Sequence, residues 1–293
     1  MANKAVLVIG ASGFIATHVV QQLLEKGQRV QGTVRTDSVL GSFDAARQGC
    51  TVVCHLASPF LIENRIDDGQ KDVVETALWH EAVLDAVGKS GTVRLVILIS
   101  SMAAIFGDNA DVQKIKTATL FTDYFNTTST PALPRWKLVI INPGLVLGPL
   151  LSPTSDSSSL SLLDKLLRGQ LFLGVPDLWF AIADVRDVAI VHLETARKPD
   201  AHGFKIIAHL KTLSFVELAR IPRSLTKSWW IPTNTLPHAL KWLRLNQGIR
   251  FNVDNRANMS DLGIVYRPLE ETLADHLRSW IAQQLACMMA VND

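Results

Sequence analysis

The sequence predicts an α/β fold, a doubly wound parallel sheet followed by a smaller C-terminal part, on three observations. Short β-branched runs alternate with amphipathic stretches of helical period, as strand–helix–strand units do. A glycine turn over residues 10–16 joins the first such run to the first amphipathic stretch. The 293 residues are 48% hydrophobic and 19% charged, which is enough apolar chain for a sizeable core and excludes general disorder.

Each element follows in order. Residues 4–9 (KAVLVI) read as a buried strand. Residues 14–26 place Phe14, Ile15, Val19, Val20, Leu23 and Leu24 on one helical face, and Gly27 stops that helix. Residues 29–35 (RVQGTVR) form a second strand, and residues 51–57 (TVVCHLA) a third, ended by Pro59. A long helix is expected over 71–89, stopped by Gly91, and 93–100 (VRLVILIS) is another buried strand. Residues 136–142 (WKLVIIN) continue the sheet until Pro143 and Gly144.

Beyond residue 150 the pattern changes. The Ser-rich 152–161 reads as a surface loop, followed by a short helix at 162–168. A strand at 179–183 leads into a helix at 185–196, and 205–208 is a further strand. Ser214 is an N-cap for a helix over 215–220, and a last helix runs from 269 to about 284.

Composition narrows the function classes. Twenty-nine basic against 27 acidic residues leave a net charge of +2, so no polycationic field favours nucleic acid as a partner. Three cysteines (Cys50, Cys54, Cys287) are too few and odd in number for a disulfide framework, which favours a reducing compartment. Cys50 and Cys54 lack a second pair and read as core or surface thiols. No stretch reaches about 18 uninterrupted apolar residues, and the run 5–9 is shorter than a secretory core. The expected location is cytoplasmic, with no membrane partner.

The string VLVIGASGFIA (6–16) carries the strongest chemical signal. Gly10, Gly13 and Ala16 have the G-x-x-G-x-x-A spacing between a buried strand and an amphipathic helix. A dinucleotide fingerprint requires that frame: glycine for the tight turn, then close backbone approach to a pyrophosphate at the helix N-terminus. The sheet is therefore expected to be Rossmann-type. The competing reading is a glycine turn without a ligand. The end of the second strand holds Arg35, suited to the 2′-phosphate of NADP, whereas an acidic residue there would favour NAD. Asp37 keeps NAD as the minority reading, and a solvated strand-end Arg35 is the structural alternative.

Together with HLASPF (55–60), LISSMAAIFG (98–107), INPGLVLGP (141–149) and ADVRDVA (183–189), the fingerprint makes the chain resemble the extended short-chain dehydrogenase/reductase, or NAD-dependent epimerase/dehydratase, family. Within it, the chain is most similar to the dihydroflavonol reductase-like carbonyl and aldehyde reductases, and residues 262–280 also resemble that family's ending. The resemblance implies that Gly10, Ser12, Gly13, Phe14 and Ile15 bind the cofactor pyrophosphate and Arg35 the adenosine phosphate. It implies that Ala57 and Ser58 line the ribose, that Pro143, Gly144 and Val146 face the nicotinamide, and that Ser101 polarises a substrate carbonyl, with Ser100 as its less favoured neighbour. It also implies an NAD(P)-binding domain over 1–150, with returns from 179–210, and a mainly substrate-covering region over 151–293.

Two departures bear on activity. The family's catalytic Tyr and Lys lie four residues apart on one helix face, where the Lys lowers the Tyr pKa and the Tyr acts as general acid. This chain has two Tyr only; Tyr124 is followed four residues on by Thr128, and Tyr266 by Glu270. Residues 108–135, with Asn126, Pro131 and Pro134, make a poor crossover helix, and the family pattern resumes abruptly at Arg135. Likewise only residues 36–50 separate Arg35 from the next strand, so the family's edge strand is expected to be absent. Other chemistry fails on spacing. His80-Glu81 meets Leu84 where a zinc protease needs His, and no G-x-S-x-G exists. Asp184, Arg186 and Asp187 read as a helix cap with an ion pair.

The expected function is therefore an NADP-dependent oxidoreductase acting on CH-OH/carbonyl groups, of aldehyde or ketone reductase type, with catalysis impaired for lack of the Tyr/Lys pair. Its partner is a small-molecule carbonyl substrate. The alternatives are an NADP-binding non-enzymatic paralogue or truncated gene product, and a sugar-nucleotide epimerase/dehydratase, whose chemistry uses the same pair. Because the family's Tyr/Lys helix packs across its dimer interface, dimerisation is expected to be weakened or lost.

Overall fold

The structure, a computed structural model, describes residues 5–34, 48–57, 83–102, 136–152, 157–198, 205–208, 210–228, 230–236 and 260–290. The first half of the chain supplies β1 (Ala5–Ile9), α1 (Phe14–Glu25), β2 (Arg29–Thr33), β3 (Cys50–His55), β4 (Leu95–Ile99) and β5 (Lys137–Pro143). There follow β6 (Leu145–Leu147), α2 (Ser158–Leu167), β7 (Trp179–Asp184), α3 (Val185–Arg197), β8 (Lys205–Ala208), β9 (Lys211–Ser214), α4 (Phe215–Thr226) and α5 (Leu269–Ala290).

Strands β2-β1-β3-β4-β5-β8, in that order, form one sheet whose neighbours all run parallel. Such strands are covered on both faces, which is why AVLVI and LVILI are continuous apolar runs and not alternating ones. Val6 and Val8 of β1 join the core of α1 and α3, with Phe14, Val19, Val185 and Val188. Ala5, Leu7 and Ile9 point the other way, into the core of Val83, Leu84 and Val87 from the helical residues 83–88. The fold is the doubly wound, Rossmann-type sheet that was expected. From β1 the chain steps one way to β2, then returns to place β3 on β1's other side. That reversal creates the crevice at the strand C-termini where ligands of such sheets bind.

Helix α1 ends as Gly27 foretold, with the Gly27 amide donating to Leu24 O (2.9 Å) and the Gln28 amide to Leu23 O (3.0 Å). Cys54 is buried in the α1-side core, and burial pushes its thiol up to about 12. Cys50, equally buried, donates from Sγ to Gln31 Oε1 at 2.9 Å. Both cysteines are core thiols.

A second sheet, β6-β7-β9, pairs β6 parallel and β9 antiparallel to β7. Its core joins Leu145 and Leu147 to Leu163 and Leu166 of α2, Phe215 and Leu218 of α4, and Leu273 and Leu277 of α5. This sheet was not foreseen. Strands of three and four residues hold too little periodicity, and the Pro143-Gly144 step read as an ending when it is a crossing between sheets. Helix α2 starts at Ser158, capped by Ser157 Oγ, where 152–161 read as loop. Helix α4 continues past its expected end at 220 and through Pro222, whose ring is buried beside the face of Phe215, Leu218 and Ala219. Its start is a capping box, with Ser214 Oγ accepting from the Glu217 amide and Glu217 Oε2 from the Ser214 amide. Helix α5 reaches Ala290 instead of 284. Among the described residues, β2 is one edge of the sheet and β8 the other. The expected loss of a further edge strand and most of the 71–89 helix lie outside the described residues.

Candidate functional site

The crevice is built where β1, β3, β4 and β5 end. The amides of Gly10 and Ala11 both donate to Thr33 O, at 3.0 and 2.8 Å, which ties the glycine turn to the end of β2. The Gly13 amide closes the turn on Gly10 O at 3.0 Å. Gly10 has φ +80°, and a Cβ there would lie 2.9 Å from Ala57 Cβ and 3.0 Å from its backbone, so glycine is required twice over. Ala57 is held in that place because the Leu56 amide donates to Ile9 O at 3.0 Å.

Gly13 is the N-cap of α1 and brings no side chain to it, and the first turn of α1 carries no acidic residue. The leading amides of a helix lack intrahelical acceptors and carry its positive dipole end. Among the described residues, no carboxylate of that first turn competes for them. A cradle that a Cβ would fill, opening on an uncapped helix N-terminus, fits a cofactor pyrophosphate. Ser12 is exposed at the rim, Ile15 half-buried, and Phe14 is 3% exposed, so Phe14 can offer a ligand its backbone amide but not its ring.

The far wall comes from the ends of β4 and β5. The Ser100 amide donates to Ile141 O at 2.7 Å and the Met102 amide to Pro143 O at 2.9 Å, which sets the half-buried Ser101 beside Pro143. A Cβ on Gly144 would fall 1.9 Å from Ala181 O, so the backbone presses onto β7 as it changes sheets. Val146 is turned into the core. The structure thus brings Gly10, Gly13, Ala57, Ser101, Pro143 and Gly144 to one edge. Arg35, Ser58 and Tyr124 lie outside the described residues.

Sequence reasoning missed Gly32, where a Cβ would meet Ala11 Cβ at 2.9 Å and push the turn off β2. Its signal was a glycine inside a strand pattern, a mark of close backbone approach. It also missed His18, on α1, whose Nε2 lies 2.9 Å from Pro149 O. Burial holds the His18 imidazole below its ordinary pKa.

Behind the site, Asp184 caps α3 by accepting from the Arg186 amide at 2.7 Å. It also accepts from Arg186 Nη2 (2.7 Å) and Thr272 Oγ1 (2.8 Å), and Arg186 Nη1 reaches Asp275 Oδ2 of α5 at 2.6 Å. Burial alone would raise the Asp184 carboxyl, but the hydrogen bonds from Arg186 and Thr272 hold it below the usual range. Asp187, paired with Arg267, is pushed up by burial, with the Asp184 charge adding to the effect. The cap and ion-pair reading of this motif stands.

The family model of the NAD dependent epimerase/dehydratase family matches residues 6–207. A cinnamoyl-CoA reductase of Medicago truncatula is 28% identical, with 94% of this chain and 95% of the relative covered. That match spans 324 positions against 293 residues here, so the relative carries at least 31 residues without counterpart in this chain. A bifunctional dihydroflavonol 4-reductase/flavanone 4-reductase of Pyrus communis is 27% identical over 79% of each chain. Among solved structures, the yeast methylglyoxal/isovaleraldehyde reductase Gre2 complexed with NADPH superposes with TM-score 0.73 at 23% identity, covering 94% of this chain and 97% of its own. The expected class, NAD(P)-dependent reductases of carbonyl groups, is the class of these relatives.

Proposed function

Because the chain belongs to the NAD dependent epimerase/dehydratase family, we propose that it seats NADP(H) in the 10–15 cradle as an oxidoreductase of the aldehyde or ketone reductase type, with slow turnover. The observation that carries the reading is the Gly10–Ala57 contact opening on the uncapped N-terminus of α1. The amides of residues 13–15 hold the pyrophosphate, and Arg35 pairs with the 2′-phosphate. Ala57 and Ser58 flank the ribose, and the backbone of Pro143 and Gly144 faces the nicotinamide.

The reduced nicotinamide, when bound, supplies hydride to a carbonyl carbon. Ser101 donates a hydrogen bond to the carbonyl oxygen and so orients and polarises it. The oxygen must also gain a proton, and no Tyr-x-x-x-Lys exists in the sequence to deliver it from a lowered pKa. The proton then comes from water or from Tyr124, which has no Lys a helical turn away, and the step is slow. The substrate is a small carbonyl compound, the location is the cytoplasm, and dimerisation is weakened or lost.

The test is a fluorescence titration with NADPH and NADH, then NADPH oxidation with aromatic and aliphatic aldehydes. NADPH binding with slow oxidation is expected. Failure to bind either cofactor overturns the reading. Cofactor binding with no turnover on any aldehyde favours the second reading, a non-enzymatic NADP-binding protein, which the missing Tyr/Lys pair supports.

A further inference from the structure

Two buried histidines hold consecutive carbonyls of the turn that follows β6. His18 on α1 is 3% exposed and its Nε2 lies 2.9 Å from Pro149 O. His276 on α5 is 2% exposed and its Nδ1 lies 2.8 Å from Gly148 O. A carbonyl oxygen only accepts, so His18 carries its proton on Nε2 and His276 on Nδ1. The Gly148 amide is 3.3 Å from the same Nδ1, and the shorter contact decides the tautomer. Burial lowers the His276 pKa to about 4 and lowers that of His18, so both rings are neutral at pH 7 and keep these tautomers. The next amide along, Leu150 N, donates to Ser279 Oγ of α5 at 3.0 Å.

The same His18 ring meets Phe14, the first residue of α1, edge to face with centroids 6.0 Å apart. One side chain thus touches both the start of the cofactor helix and the turn that ends the 143–147 segment. Its partner His276 holds that turn from α5. On the cofactor seat proposed above, this strut runs from the pyrophosphate end of the ligand to the turn at 148–149, which β6 joins to the nicotinamide-facing residues 143–144.

We propose that His18 is a positioning residue that sets the span between the α1 N-terminus and the nicotinamide-facing backbone of 143–144, with His276 anchoring the far end of that span to α5. The inference rests on the cofactor reading. It predicts that losing the strut weakens a ligand that spans both ends and spares one that occupies the first end alone.

The experiment compares dissociation constants of the full-length protein for NADPH and for 2′,5′-ADP, which lacks the nicotinamide half. His18→Leu leaves a part-buried carbonyl without its donor and is expected to weaken NADPH about tenfold. It should leave 2′,5′-ADP within about twofold. His18→Gln carries its N–H at the reach of Nε2 and restores NADPH, while the shorter His18→Asn does not. At His276, which uses Nδ1, the order reverses: Asn restores and Gln does not. These polar pairs carry the test if the Leu variant fails to fold. Equal losses for both ligands, unchanged NADPH binding in His18→Leu, or no difference between Asn and Gln at either position overturns the inference alone. A wild-type protein that binds neither ligand overturns the cofactor reading and the inference with it.

Discussion

The cradle at residues 10–15 and the proton-donating half of the cleft are unequal. The first is made of backbone: amides, a left-handed glycine at φ +80°, and a neighbour, Ala57, that leaves no room for a Cβ. The second, in the family the chain resembles, depends on two side chains one helical turn apart, and neither Tyr in this sequence has a Lys at that spacing. A seat built from backbone survives as long as the sheet folds. Side-chain chemistry held at fixed spacing disappears with one short segment. On the function proposed above, the chain keeps the means to hold a reductant and lacks the means to use it quickly.

The largest expected effect comes from restoring the weaker half. A Tyr-x-x-x-Lys helix inserted before Arg135 is expected to raise NADPH-dependent aldehyde reduction by about 10²- to 10⁴-fold, the usual contribution of a general acid. Steady-state rates of the two proteins decide it. If the unmodified chain already turns over at about 1 s⁻¹ or more, the inequality does not exist, and Tyr124→Phe then shows whether that residue supplies the proton.

Gly144→Val attacks the joint between the halves. Its Cβ would sit 1.9 Å from Ala181 O, a backbone atom that cannot step aside. A loss of about 4 kcal/mol or more in unfolding free energy is expected by urea denaturation. A loss under about 1 kcal/mol would mean that the crossing between sheets is pliable.

Acid should act through the histidines that brace the turn after β6. His276 has a folded pKa lowered to about 4, below its unfolded value near 6.5. The unfolded state then binds more protons between those values, so stability is complete above pH 6.5 and falls as pH drops towards 4. Between pH 6.5 and 5 the expected loss from this residue is about 2 kcal/mol. His276→Asn should flatten the stability–pH curve in that window, and an unchanged slope would show that the ring is not buried neutral.

The smallest effect concerns cofactor choice. Arg35→Ala is expected to reduce NADPH affinity about tenfold, as removal of a charge-assisted pair does, and to leave NADH unchanged. Titration of both cofactors measures it, and equal losses would move the 2′-phosphate contact away from Arg35.

The parallel sheet was legible because its strands are continuous apolar runs, and the glycine turn because Gly10 and Gly13 stand between such a run and an amphipathic helix. The second sheet was not, since LVL and KTLS are too short to show a period. Asp184 was legible as a cap because capping is local, two residues reaching one amide. Gly32, Gly144 and His18 matter through atoms 21, 37 and 131 residues away in sequence, at Ala11, Ala181 and Pro149. A glycine inside a strand pattern marks Gly32 as a close approach, but nothing in the neighbours of any of the three says which atom it meets. For the same reason the sequence displays which residues can touch a phosphate but not which ones set the distance between the two ends of the cleft.

The two sheet thiols give the core a chemical clock. Cys54 is wholly buried with its thiol pushed up to about 12, and Cys50 is occupied by Gln31 Oε1, so neither offers a thiolate to an alkylating reagent at neutral pH. Each becomes reactive only when β3 parts from its neighbours. Their labelling rate therefore counts openings of the sheet beneath the cradle, and a ligand that settles there should slow the count without touching either sulfur.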